Sequence, residues 1–180
     1  MEYYKYMPIY DFLVRIFADG GVVAVILIGG FVLLFKIPKG KRFEAYSRIL
    51  MAGLTTYLIA KFIASVYQPA FERPFELLGA APGALYLNNP GFPSDHALFA
   101  TAITAAVWFE TKMKKTTLVL VGLVVLMCLG RVLALVHTPL DVIGGIVMGL
   151  IGAVWYVNKP VEKKEVSHGK GSRHRAASNR

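Results

Sequence analysis

Three groups of residues in this 180-residue chain carry chemistry at odds with their apolar surroundings. Ser94, Asp95 and His96 follow Pro93 at the start of one apolar run. Arg131, His137 and Asp141 straddle a Thr138-Pro139 break between two others. Lys61 stands near the end of a fourth run, and Arg73 lies in the loop beyond it. Lys61, Arg73 and Arg131 offer point and bidentate contacts to phosphate oxygens. Pro93 favours extended backbone before a new helix, so Ser94 takes an N-cap position and the first backbone N–H groups of that helix face an anion. Thr138-Pro139 repeats the device, with proline at the first helical position. His137 then sits just before a helix and Asp141 in its first turn. Asp141 can accept the proton-bearing nitrogen of His137 and leave the other nitrogen free as a nucleophile. His96 remains as general acid for a leaving oxygen. Two histidines among three cations suit phosphoryl transfer through a phosphohistidine. No acidic cluster is at hand for magnesium, so chemistry without a metal or other cofactor fits better.

The elements that must hold these groups are membrane spans. The chain is 56% hydrophobic and 17% charged, with mean hydropathy +0.53. A soluble domain is about 45–50% apolar and about 25% charged. A soluble domain this small cannot hide so much apolar surface. Five stretches stand out: 20–37, 45–67, 94–109, 116–136 and 139–157. A spanning helix needs about 20 residues, so 94–109 is short and suits a start below the membrane surface. In residues 1–19, Tyr10, Phe12, Leu13, Ile16 and Phe17 alternate with Asp11, Arg15 and Asp19, which predicts an amphipathic interfacial helix. That segment lacks a basic, apolar and small-residue succession, so no cleaved signal peptide is expected. The fold class expected is an all-α integral membrane bundle of about five spans plus this N-terminal helix, all within a membrane-embedded domain of residues 1–157. The lone cysteine, Cys128, excludes an internal disulfide and a cysteine-based zinc site.

The net charge of +9 raises the possibility of nucleic acid as a partner, and its distribution argues against it. Lys36, Lys39, Lys41 and Arg42 fall between the first two spans, and Lys112, Lys114 and Lys115 between the third and fourth. The tail, 158–180, holds most of the rest. All lie on one side of a five-span topology, which the positive-inside rule makes cytoplasmic. The tail's composition predicts a disordered cytoplasmic segment able to touch anionic lipid. His168 and His174 read as solvated tail residues. The Gln68–Pro93 loop and the 136–139 turn then lie outside, in a plasma or inner membrane. Lys61, Arg73, Ser94, His96, Arg131, His137 and Asp141 all come to that outer face. Ionisable groups at membrane depth are costly and mark sites.

At these residues the sequence resembles the type 2 phosphatidic acid phosphatase family. That family carries three blocks: Lys-x6-Arg-Pro, Pro-Ser-Gly-His and Ser-Arg-x5-His-x3-Asp. Here the third reads Gly130-Arg131-x5-His137-x3-Asp141 and the second Pro93-Ser94-Asp95-His96. The resemblance implies a metal-independent phosphatase acting on a lipid phosphate in the bilayer. His137 would be its nucleophile, Asp141 its orienting acid and His96 its proton donor. Lys61, Arg73, Ser94 and Arg131 would bind phosphoryl oxygens. Gly130 replaces the family serine, which removes a hydroxyl contact. Asp95 replaces glycine, and Phe-Pro-Ser-Asp-His-Ala resembles the undecaprenyl-diphosphatase branch. Undecaprenyl pyrophosphate is therefore the substrate expected first, ahead of phosphatidylglycerophosphate and phosphatidic acid. The first block is broken. Six residues after Lys61 comes Gln68-Pro69, and Arg73-Pro74 arrives only later. Arg73 is preferred to Gln68, because a guanidinium suits phosphate better than an amide. The competing class is a catalytically degenerate protein that binds or moves lipid phosphates, but binding alone needs no nucleophile.

Other residues have ordinary readings. Lys61 alone would be a snorkelling interfacial lysine and Arg73 an exposed loop charge. Asp95 reads as a first-turn acid facing the helix dipole. Glu72 and Glu76 read as solvated loop residues, and Asn88, Asn89 and Gly91 as turn residues. Trp108, Trp155 and Tyr156 read as belt aromatics, and Gly144, Gly145, Gly149 and Gly152 as close helix packing.

Overall fold

A computed structural model describes residues 8–70 and 72–157. The expectations for the tail, 158–180, including its lipid contact, fall outside the described residues. Apolar runs too long to shed their backbone polar groups into lipid must close hydrogen bonds internally, and helices do so. The described residues form α1 (Pro8–Arg15), a π-helical stretch (Ile16–Gly20), α2 (Gly21–Phe35), a 3-10 turn (Lys39–Lys41) and α3 (Arg42–Val66). They continue with α4 (Pro74–Leu77), α5 (Asp95–Thr111), α6 (Lys114–Leu133), α7 (Pro139–Ile151) and α8 (Val154–Val157). No strand occurs among them. The chain is an all-helical, multi-pass membrane protein.

Four helical stretches are long and apolar enough to cross a membrane: Ile9–Phe35, Lys39–Val66, Lys114–Leu133 and Pro139–Val157. The first of them departs from the expected organisation. The described part of 1–19 runs straight into the first span as one helix of 27 residues, instead of forming a separate element. No proline or turn residue breaks the chain between Asp11 and Gly20. Val14 and Ala18 are buried against Phe75, Ala84, Ala134 and Val136, so packing at this end of the bundle carries the helix onward.

The expected short span is α5, with 17 residues and a length of about 26 Å. It is the central helix, packed against α2, α3, α6 and α7. Its small residues make that position possible: Ala97, Ala100, Ala105 and Ala106 are buried. Thr104 is buried too, and its hydroxyl donates to the Ala100 carbonyl at 2.8 Å. Large apolar side chains face outward instead, including Leu27, Phe31 and Leu118. That inverted distribution suits lipid as solvent.

The α5–α7 seam is the closest. A Cβ on Gly145 would lie 2.5 Å from the Ser94 carbonyl oxygen and 2.8 Å from Ala97 Cβ. Gly144, Gly149 and Gly152 pack in the same manner against Phe92, Leu98 and Ala52. At the opposite end Arg48 donates twice to Glu110, both bonds 2.9 Å, and ties α3 to α5. Tyr156 is buried and stacked on Phe109 at 5.3 Å, so it belongs to the core and not to an aromatic belt.

The seam predicts a matched pair of outcomes. Gly145→Ala must push α5 from α7, costing about 1–3 kcal/mol as overpacking does. Its thermal midpoint in detergent should fall, and activity with it, since Ser94 and His96 ride on the same helix end. Gly122→Ala meets no atom within 4 Å and should leave the midpoint unchanged or raised.

Candidate active site

Four segments meet at one end of the bundle. They are the end of α3, the loop from 67 to 94, the start of α5 and the junction between α6 and α7. Backbone bonds lock them together. Ser94 N–H donates to the Asp141 carbonyl at 2.9 Å, Phe75 N–H to Leu135 at 3.0 Å, and Gly83 N–H to Ala134 at 3.0 Å. Leu135 adopts left-handed backbone with φ 59°, a conformation that costs about 1–2 kcal/mol outside glycine. The bond from Phe75 offsets part of that cost.

These segments enclose a cavity of about 320 Å³. Lys61, Arg73, Asp95, His96, Arg131 and His137 line it, with residues 89–93 forming a wall. Five of the seven expected site residues therefore share one space. Asp141 and Ser94 stand behind the lining. Asp141 Oδ2 is 3.5 Å from His137 Nδ1, longer than an ordinary hydrogen bond, and Nδ1 has no closer partner. The same oxygen accepts the Thr138 N–H at 2.8 Å, while Asp141 N–H donates to Thr138 Oγ1 at 3.2 Å. This reciprocal cap fixes the carboxylate beside the imidazole. With Nδ1 facing Asp141, Nε2 is the other edge of the ring. Ser94 occupies the N-cap position of α5, but its side chain caps nothing. Its Oγ is buried without a partner.

Each cation is held differently. Arg131 is 1% exposed, and its Nη1 donates to Asp19 Oδ1 at 3.0 Å and to the Leu85 carbonyl at 2.7 Å. Arg73 is buried and clamps backbone. Nη1 donates to the Val136 carbonyl, and Nη2 approaches the carbonyls of Leu87 at 3.1 Å and Asn89 at 3.0 Å, with Asn89 Oδ1 also at 3.0 Å. Its guanidinium lies 5.4 Å from the Tyr86 ring centre. Lys61 is paired with Asp95 at 3.0 and 3.1 Å and lies over the Tyr57 ring.

Several ordinary readings change accordingly. Asp95 is the counter-ion of Lys61 and not merely a first-turn acid. Glu76 accepts the Arg73 N–H at 2.6 Å, so it is part of the loop's internal bonding. Asn89 holds Arg73 rather than simply turning the chain. Gln68 does not line the cavity. Its Nε2 donates to Ala64 at 2.7 Å and to Phe92 at 3.0 Å, closing the end of α3 onto the loop. Asp19, assigned to the polar face of a separate N-terminal helix, instead reaches Arg131. A separation of 112 positions hid that pairing, and the only trace was an acid at the mouth of an apolar run.

Burial lowers the pKa of His137. The Asp141 carboxylate pulls it upward, and Arg131 and Arg73 push it down again. Burial also lowers the pKa of Arg73, which still stays charged across any working range.

The comparison with known proteins bears on this arrangement. Residues 45–165 match the PAP2 superfamily. The chain belongs to that family. It is a membrane lipid phosphatase, a hydrolase. It is also similar to undecaprenyl-diphosphatase BcrC of Bacillus subtilis (strain 168), with 30% identity over 142 residues, 78% of this chain and 70% of the relative. No solved structure gives a significant match. The matched region spans α3 to α7 and takes in every lining cation and histidine named above. Asp19 lies before it.

In the role expected of it as nucleophile His137 must be neutral, and its lowered pKa would keep it so to more acid pH. The acid limb of kcat/KM should therefore fall below pH ~6.5, the ordinary histidine value. Asp141→Asn removes the group that favours the imidazolium, so that limb should move further toward acid while the rate drops. Arg73→Lys should lose about 100-fold in kcat/KM, because one ammonium cannot reproduce the fork that holds Val136 and Asn89. Gln68→Ala should change kcat/KM by about threefold at most.

Proposed function

We propose that this chain hydrolyses undecaprenyl pyrophosphate to undecaprenyl phosphate through a phosphohistidine at His137, on the extracytoplasmic side of a cell membrane. The observation that carries this reading is the meeting of Arg73, Arg131, His96 and His137 around one cavity that Ala64, Leu87 and Phe92 also line. The similarity to a protein named undecaprenyl-diphosphatase supports the choice of substrate. The Pro93-Ser94-Asp95-His96 block supports the same branch. The crowding of lysine and arginine into the 36–42 and 112–115 connections supports the sidedness.

In the proposed reaction His137 Nε2 attacks the terminal phosphorus in line with the bridging oxygen. The bond to that oxygen breaks, and His96 delivers the proton it needs. Asp141 holds the ring and balances its growing charge. Arg131, Arg73, Lys61 and the Ser94 region offset charge on the non-bridging oxygens. Water then attacks the phosphorus of the phosphohistidine, with His96 taking its proton; the bond from phosphorus to Nε2 breaks, its electron pair returns to His137, and inorganic phosphate leaves. The cations do the electrostatic work, so the route needs no metal.

Purified protein should be offered undecaprenyl pyrophosphate, phosphatidylglycerophosphate and phosphatidic acid, with phosphate release measured. The first should be hydrolysed at least about 10-fold more efficiently, equivalent to about 1.4 kcal/mol in the transition state. A preference for either phospholipid would reassign the substrate. His137→Ala should lose more than about 1,000-fold, as removal of a nucleophile does. Phosphate release at the parent rate from that variant would sink the mechanism. A cysteine at Asn88 should react with an impermeant thiol reagent in intact cells; reaction only after permeabilisation would invert the topology.

A further inference from the structure

The guanidinium of Arg131 is almost wholly buried, yet it is only half satisfied. Its Nη1 is committed to Asp19 and to the Leu85 carbonyl. Its Nε is buried with no partner. Asp19 is engaged at both oxygens, since Oδ2 accepts the Leu85 N–H at 3.1 Å while Oδ1 holds Arg131. Asp19, Arg131 and both backbone groups of Leu85 thus form a closed ring. It fixes one edge of the guanidinium and leaves the Nε–Nη2 edge, the one with fork geometry for two anionic oxygens, without a carboxylate.

The N-terminal helix reaches this position through two local features. The π-helical stretch Ile16–Gly20 widens the helix where Asp19 departs toward Arg131. Gly130, the neighbour of Arg131, admits that stretch: a Cβ there would lie 2.6 Å from the Ala18 nitrogen and 3.0 Å from Ala18 Cα. The glycine that stands where the family block has serine is therefore a docking notch for the backbone that carries Asp19.

We infer that Asp19 is a positioning residue for Arg131: it orients the guanidinium so that its free Nε–Nη2 edge grips the phosphoryl group of the substrate. The inference rests on the proposed phosphatase reading for the role of Arg131. It assigns a part in substrate binding to a segment outside the matched residues 45–165. Asp19 itself lies outside the cavity lining and acts only through Arg131.

The test uses the full chain in detergent or nanodiscs, with Asp19→Asn, Asp19→Glu and, separately, His137→Ala. Inorganic phosphate binding is read by calorimetry, without turnover, and KM and kcat for the lipid pyrophosphate are read alongside. Asp19→Asn should weaken phosphate binding and raise KM about 10-fold, with kcat changed by about twofold at most, because the charge-assisted bond to Arg131 is roughly halved in strength. Asp19→Glu keeps the charge on a longer stem and should lose only about threefold in both. Unchanged or tighter phosphate binding in Asp19→Asn would overturn the inference, as would equal losses in the Asn and Glu variants. If the Asn variant does not accumulate as folded protein, the Glu variant decides: parent-like KM and phosphate affinity overturn the inference. His137→Ala separates the two levels. An active His137→Ala refutes the phosphohistidine reading, whereas an inactive one beside a parent-like Asp19→Asn refutes the positioning role alone.

Discussion

A guanidinium that is 1% exposed at the end of a membrane span is the constraint around which this structure is arranged. Removing such a charge from water costs several kcal/mol unless opposite charge and hydrogen bonds replace the lost hydration. Neither α6 nor its neighbours in sequence supply them to Arg131. The carboxylate comes from the N-terminal helix, and the carbonyl from the loop between α4 and α5. Two otherwise separate pieces of chain are thereby drawn to the end of α6. Val14 and Ala18 close the apolar side of the same cap against Phe75, Ala84 and Val136.

The second guanidinium organises the other half of the cap. Arg73 is in ion-pair contact with no carboxylate among the described residues and bonds the carbonyls of Val136, Leu87 and Asn89. One of these lies next to His137, so the clamp and the imidazole share a backbone. Beneath the cap, the glycines of α7 let α5 approach until the Asp141 carbonyl takes the Ser94 N–H. Helix packing between α5 and α7 thus sets the separation of the two elements that carry His96 and His137. Stability and site geometry are coupled through that seam, because lipid gives these helices no hydrophobic force to hold them together otherwise.

The residues legible from sequence are those whose partners lie within a turn or two, or whose pattern is carried by a break between runs. Asp141 lies in the first turn of a proline-started helix and His137 just before its cap, so their proximity follows from the local cap geometry. Arg131 was legible because an arginine ending an apolar run is rare. The five apolar runs correspond to α2, α3, α5, α6 and α7 within a few residues at most boundaries. What stayed hidden depends on contacts distant in sequence. Asp19 fitted an amphipathic pattern equally well, and nothing local distinguished a face turned to the interface from one turned to α6. Gly130 looked like a lost hydroxyl, because sequence shows what a glycine lacks and not what occupies the space. The loop after α3 was ambiguous since neither Gln68 nor Arg73 has periodic neighbours. Their different hydrogen bonds separate a helix-end amide from a cavity-lining cation.

The three cations form a graded set, and the grading has a physical cause. Arg131 has a carboxylate and a carbonyl on one edge, and burial leaves it no other geometry. Arg73 spends much of its fork on backbone, so its position is bound to that of the loop. Lys61 is 40% exposed in its side chain and Asp95 25%, so their pair is solvated and exchangeable. An exposed pair of this kind is worth about 0–1 kcal/mol, so an incoming anion can replace Asp95 at little cost. The reverse holds at Arg131, where loss of Asp19 would strand a buried charge. An anion entering the cavity therefore meets two guanidiniums already fixed and one ammonium that can swing to it. That order suits a site that must hold a reacting phosphorus rigidly while accepting a head group from a lipid moving in the plane of the membrane.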